Sequence, residues 1–205
     1  MNKVFSKEEI KEKYDAFARY YDFLEGIFEL FIWRYRKRLI SLARGNVLEV
    51  GIGTGKSLKY YSSNAVITGV DASSGMLKKA RKKARALRMN VAFFQGDAQR
   101  LPFGNKQFDT VVDTLGLCTY SNPIKVLREM RRVCKDDGII LLLEHGVSNQ
   151  RWVRGLQERW EKKHYEKLGC SLLREHEALV KKAGLKIVKA ERKLFGAIYI
   201  IVARR

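Results

Sequence analysis

The chain has 205 residues, with 41 Lys and Arg against 22 Asp and Glu, for a formal net charge of +19. That length suits one domain with a full core, and a composition 46% hydrophobic and 31% charged excludes a disordered or membrane-integral chain. The cation excess favours phosphate-bearing partners, in nucleic acid or in anionic lipid, and says nothing about the fold.

Residues 6–42 read as two helices, opened by a capping box of Ser6 with Glu9. The apolar run from Phe23 to Trp33 carries Glu25 and Glu29 and meets Arg34, Arg36, Lys37 and Arg38. It reads as an amphipathic helix packed on the domain with its basic residues in water, or as a helix resting on a membrane surface. Residues 1–42 are therefore assigned as a helical lid or membrane-surface segment, and 43–205 as the main domain. The N-terminus MNKVFSKEEIKEKYD lacks a signal peptide's apolar stretch, and no run of about 18 apolar residues could span a bilayer. The expected location is the cytoplasm, with peripheral membrane attachment left open.

From residue 46 short apolar runs alternate with helical stretches. Strands are expected at 46–50, 66–70, 91–95, 108–113, 138–144, 185–190 and 197–203. One helix begins near Ser74 and is rich in Lys and Arg to Arg88, a basic face that reads as solvated or as an anionic-partner surface. A second begins at Asn122-Pro123, a cap with proline at the first helical position, and a third runs from Ser171 to Ala183 and stops at Gly184. Such alternation implies an α/β fold, a mostly parallel Rossmann-like sheet with helices on both faces. The last two strands, joined by Lys-Leu-Phe-Gly, suit an antiparallel hairpin.

The segment Val47-Leu48-Glu49-Val50-Gly51-Ile52-Gly53-Thr54-Gly55 is a strand that ends in a glycine turn and opens a helix. Glycines there let a ligand approach the backbone closely. A Walker loop needs glycine where Val50 stands, and a dinucleotide fingerprint needs glycine where Lys56 stands. What remains is an acid two residues before three alternating glycines. An acid repels phosphate but suits a ligand with an ammonium group and no phosphate. Asp71, at the end of the second strand, can accept bonds from ribose hydroxyls, and Asp97, after the third, can accept from an adenine amino group. Each acid alone could be a helix cap or turn residue; three at successive strand ends define a binding edge.

These segments resemble the class I methyltransferases that use S-adenosylmethionine (SAM). VLEVGIGTG is similar to their first motif, VDAS to the ribose-binding end of strand two, and GDAQRLPF to the adenine-side motif. YDAFARYYD resembles the opening of ubiquinone/menaquinone-type and phospholipid N-methyltransferases, and LLLEHG with GCSLLRE resembles membrane-associated thiol methyltransferase-like proteins. The resemblance implies that Gly51, Ile52, Gly53 and Gly55 meet the methionine part of SAM, with Glu49 near its ammonium. It implies Asp71 at the ribose, Ala72, Met76, Asp97 and Ala98 about the adenine, and Thr114 and Leu115 on the sulfonium side. Tyr14 and Tyr21 would close the pocket, or simply pack as aromatics.

His145, after strand five, could take a proton from an acceptor thiol, phenol or ammonium, or could bond to backbone. His164 and His176 lie in charged stretches and read as solvated. Cys118, Cys134 and Cys170 are odd in number, widely spaced and outside any CxxC arrangement, which argues against a disulfide framework or zinc site, so no metal is expected. Three functions follow: methylation of a small lipophilic acceptor (phospholipid amine, quinone-like ring or thiol) at a membrane surface, methylation of RNA, or SAM binding without catalysis. Nucleic acid is the weaker partner, because Asp113-Thr114-Leu115-Gly116 is not the motif of base-amino methylation.

Overall fold

The computed structural model describes Glu9, Glu12 and residues 29–205. The readings of Ser6, Tyr14 and Tyr21, and most of the run from Phe23 to Trp33, lie outside the described residues. Helix α1 is described over 29–40. Its inward stripe is Ile32, Arg36, Leu39 and Ile40, continued by Ala43, all 4% exposed or less, whereas Leu30 and Phe31 face out. The helical repeat thus turns Arg36 inward, contrary to its reading as one of several solvated cations.

The strands are β1 (Asn46–Val50), β2 (Val66–Asp71), β3 (Val91–Gln95), β4 (Phe108–Thr114), β5 (Cys134–His145), β6 (Lys186–Lys193) and β7 (Ile198–Arg204). They form one seven-stranded sheet in the order β3-β2-β1-β4-β5-β7-β6. Strands β1 to β5 run parallel to one another, and β7 runs antiparallel to both β5 and β6. The fold is therefore the expected mostly parallel α/β sheet with an antiparallel C-terminal pair. Strand β5 begins at Cys134, four residues before its expected start, with a register shift against β4 between Phe108 and Thr110.

Helices α2 (Ser74–Ala86), α3 (Pro123–Val133), α4 (Arg151–Leu168) and α5 (His176–Lys182) complete the order. The Ser73 hydroxyl accepts from Met76 N and the Asn122 side chain from Lys125 N, so both starts have a capping oxygen. The third expected helix starts five residues late, at His176, because Glu175 caps it through Ala178 N. After the glycine turn the chain makes only a 3₁₀ turn, Leu58–Tyr60, where a helix was expected.

Alternation along the strands assigns two cores. Leu48, Val111, Ile140 and Leu142 pack with α3 and α5 residues such as Leu127, Met130 and Val180. Val47, Val112, Leu141 and Leu143 pack with Ile32, Leu39 and Ile40 of α1 and Leu77 and Ala84 of α2. Burial of each such side chain contributes on the order of 1.5–3 kcal/mol, so both faces are fixed by the period-two pattern. The register sets Val50 beside Val70 and Asp113, Asp71 beside Gln95, and Thr114 beside Leu143. The carboxyl ends of the parallel strands thus finish along one edge, the usual ligand edge of an open α/β sheet.

Candidate functional site

A cleft of about 1020 Å³, counted to its open mouth, runs along that edge. Gly51, Ile52, Gly53, Asp71, Ala72, Met76, Asp97, Ala98, Thr114 and Leu115 all line it. Gly51 and Gly53 have φ of 64° and 55°, and a Cβ at Gly51 would stand 2.5 Å from the Tyr120 hydroxyl. Glycine at 51 therefore serves both a left-handed turn and the approach of Tyr120. Gly55 is absent from the lining. Its φ is 76°, and a Cβ there would meet Leu58 at 2.7 Å and the Ala80 backbone at 3.4 Å, so it packs the turn on α2.

The Asp71 carboxylate accepts from Gly53 N at 2.8 Å and from Ser73 N at 2.9 Å. These bonds tie the glycine turn to the start of α2. Asp97 accepts from Gln99 N at 2.8 Å, fixing the turn after β3. Glu49 lies behind the cleft wall and is 1% exposed. The Tyr61 hydroxyl donates to it at 3.0 Å. Burial outweighs the Ser57 and Tyr61 hydrogen bonds and the Arg36 charge, and pushes its carboxyl up to about 7.

Arg36, Lys56, Ser57, Gln99, Thr119, Tyr120 and Ser121 also line the cleft, and sequence reasoning had not selected them. Arg36 is 2% exposed. It donates to Thr114 Oγ1 at 2.6 Å and pairs with Glu29 at 3.0 Å. The signal was available, since 32, 36 and 40 recur at helical spacing among apolar neighbours. Acids at Asp71 and Asp97 with cations at Arg36 and Lys56 give the cleft both signs of charge. SAM carries a carboxylate, an ammonium, a sulfonium, ribose hydroxyls and an adenine, and this donor and acceptor set fits it.

Beyond Thr114 the chain enters a left-handed residue, Leu115 (φ 61°), whose N–H donates to Leu143 O at 2.8 Å. Glu144 is fully buried and accepts from Gly116 N at 3.1 Å and Cys118 N at 3.3 Å. Burial raises both Asp113 and Glu144 above the usual carboxylate range. His145 is not among the cleft-lining residues; its Nε2 is 3.1 Å from Cys170 Sγ. His164 Nε2 is 3.2 Å from the same sulfur. His176 is fully buried, with Nε2 2.9 Å from His145 O, and burial depresses it to about 3, so it is neutral. The solvated reading of both is corrected: His176 is buried at the start of α5, and His164, half-buried on α4, stands against Cys170 where the chain turns back after Gly169.

Residues 48–142 match the family described as "Methyltransferase domain". That match covers a little under half of the chain. The chain is 38% identical over 108 residues to a phosphatidylethanolamine N-methyltransferase of Cereibacter sphaeroides, covering 52% of this chain and 53% of that protein. It is 34% identical over 147 residues to a demethylmenaquinone methyltransferase of Thermotoga maritima, covering 68% of this chain and 62% of that one. The chain thus spans less than two thirds of the length of these curated relatives. The crystal structure of a SAM-dependent methyltransferase from Thermotoga maritima superposes with a TM-score of 0.71 at 22% identity, covering 95% of this chain and 99% of that one. At that identity the likeness speaks for the fold.

Proposed function

We propose that the protein transfers a methyl group from SAM to a small lipophilic acceptor presented at a membrane surface. The observation that carries the first half is the cleft at the strand ends, where a glycine turn, Asp71 and Asp97 converge with Arg36 and Lys56. SAM supplies a methyl group already activated on sulfur. The protein's work is to hold donor and acceptor in line and to exclude water. In this reading Asp71 takes the ribose hydroxyls. Ala72, Met76, Asp97 and Ala98 enclose the adenine. Glu49 balances the ammonium through the glycine turn, and Arg36 and Lys56 balance the carboxylate. Gly51, Ile52 and Gly53 flank the methionine chain, and Gly55 supports them from behind. His145 positions the loop behind the cleft floor.

The membrane half rests on α4, which has no buried residue along its 18 positions. Trp152, Leu156 and Trp160 recur at helical spacing and are 60%, 50% and 52% exposed. Phe195, 66% exposed, meets Trp152 edge-on at 5.5 Å. Arg159, Lys163 and Lys167 share that face by the same periodicity, and Lys163 Nζ stands 5.4 Å from the Trp160 ring. Tryptophan interleaved with cations suits the headgroup layer of an anionic bilayer. No helix among the described residues is long and apolar enough to cross one. Relatives named for phosphatidylethanolamine and demethylmenaquinone methylation support an acceptor that resides in lipid.

The test pairs tritiated SAM with vesicles carrying phosphatidylethanolamine, a demethylated quinol or an alkyl thiol, with RNA as the contrasting acceptor. Label should enter one of the lipophilic acceptors. Label entering RNA alone would replace this reading, and absence of calorimetric heat with SAM would end it. Flotation with phosphatidylglycerol vesicles should capture the protein. The triple variant Trp152→Ala, Leu156→Ala, Trp160→Ala should stay behind while binding SAM as wild type does; equal flotation of both would remove α4 as the docking face.

A further inference from the structure

The three cysteines have no sequence pattern of a metal site, yet the fold gathers two of them with histidine. One donor atom each from Cys118, His145 and Cys170 lies within 4.8 Å of the others. They come from three separate segments: the loop after β4, the end of β5, and the turn after α4. Gly169 caps α4 in the left-handed region (φ 69°) and reverses the chain, so that Cys170 returns over the last turns of its own helix. There His164 Nε2 stands 3.2 Å from Cys170 Sγ, while His145 Nε2 approaches the same sulfur at 3.1 Å. Both sulfurs are buried, Cys118 at 2% and Cys170 at 7% exposure.

We propose that Cys118, His145, His164 and Cys170 bind one zinc ion. In tetrahedral zinc with Zn–S of about 2.3 Å and Zn–N of about 2.05 Å, adjacent sulfur and nitrogen ligands stand about 3.6 Å apart. The two sulfur–nitrogen distances to Cys170 widen by about half an ångström to admit the ion, and the His164 ring, which stands outside the close group of the other three, swings in to complete the set. As each Zn–S bond forms, the thiol releases its proton to solvent, and each imidazole offers a neutral Nε2. Two thiolates then cancel the charge of Zn²⁺, so a neutral centre is buried in place of isolated charges. Thiolate with imidazole is the donor set of structural zinc, and four protein ligands close the coordination sphere.

The surrounding bonds hold the ligand segments in place whether or not the metal is bound. Ser171 N donates to Cys118 O at 2.9 Å, joining the two cysteine segments. Glu161 accepts from Ser171 Oγ at 2.6 Å and from Leu172 N at 2.7 Å, tying the Cys170 turn to α4. Cys118 belongs to the loop whose Thr119 and Tyr120 line the cleft, so the ion would brace the cleft floor against α4. This inference is independent of the methyl acceptor and of SAM binding.

The test uses the full chain, purified under reductant. Elemental analysis should find one zinc per chain after desalting. Replacement by Co²⁺ should produce a sulfur-to-cobalt band in the near ultraviolet and the visible bands of a tetrahedral centre. Cys170→Ser should lose the sulfur-to-cobalt intensity in part and release the metal to a chelator that leaves wild type loaded. Should that variant fail to fold, His164→Ala, altered at the cluster's more exposed side, should still bind Co²⁺ but shift its visible bands as water takes the fourth place. Wild-type protein with three free thiols on denaturation that takes up neither zinc nor Co²⁺ would overturn the site. A single free thiol, reporting a Cys118–Cys170 disulfide, would overturn it too, and an unshifted His164→Ala spectrum would refute the four-ligand set.

Discussion

Glu49→Gln should stabilise the protein and weaken it as a SAM binder, and the two effects should have different pH dependence. Glu49 is buried against Tyr61, Ser57 and Arg36, with Asp113 across the strand, and its carboxyl is raised from 4.5 to about 7. An acid whose folded pKa is raised binds its proton more tightly in the native state. Wild-type stability therefore falls as pH rises from about 4.5 to about 7, by roughly 3 kcal/mol in total. Glutamine can still accept the Tyr61 hydrogen bond and carries no charge to desolvate. Urea unfolding at pH 5 and pH 8 should show the variant's advantage growing by up to about 3 kcal/mol between the two. If the ammonium of SAM requires ionised Glu49, binding at pH 6 must expel its proton. Calorimetry in buffers of differing ionisation enthalpy should record net proton release in wild type and none in the variant. The variant's affinity should fall by roughly 10- to 100-fold, the loss of one charge-assisted interaction. A stability difference independent of pH, or proton-neutral SAM binding by wild type at pH 6, would refute the assignment.

Arg36→Met should cost about 2–4 kcal/mol, because it leaves the partly buried Glu29 without its cation and Thr114 Oγ1 without its donor; a shift in urea midpoint worth less than about 1 kcal/mol would mean the pair behaves as a solvent-exposed one. Gly51→Ala should cost about 1–3 kcal/mol and abolish detectable SAM heat, since the new Cβ meets Tyr120 Oη at 2.5 Å on a backbone with φ of 64°. A melting temperature and SAM isotherm matching wild type would show that Tyr120 withdraws freely.

The sheet was legible because buried parallel strands advertise themselves as short apolar runs, and Val66 to Val70 or Phe108 to Asp113 admit no other reading. The ligand edge was legible for a related reason: acids and glycines at strand ends satisfy no core requirement. Side-chain direction was less accessible. Arg36 reads as a surface cation until its neighbours Ile32, Leu39 and Ile40 are placed on the same helical face. The helix expected after Gly55 gave way to a 3₁₀ turn, because three positive-φ glycines spend the available residues on turning. Convergence of distant residues was not legible at all. Cys118, His145, His164 and Cys170 have no common spacing, and only the parallel register of β4 with β5 and the reversal at Gly169 bring them together.

The loop from Leu115 to Ser121 joins these two outcomes. Leu115 occupies left-handed space, which costs a non-glycine residue on the order of 1 kcal/mol or more and persists only where neighbours over-determine it. Here they do: Leu143 O takes its N–H, Glu144 takes those of Gly116 and Cys118, and Arg174 donates to Leu117 O and Tyr120 O. The front of this loop presents Thr119 and Tyr120 to the cleft, and its back presents Cys118 to Cys170. A loop held on both sides cannot relax at one without straining the other. Substitutions in the C-terminal third, at Arg174 or in the Gly169 turn, therefore act on the cleft through this loop, although the family match itself ends at residue 142.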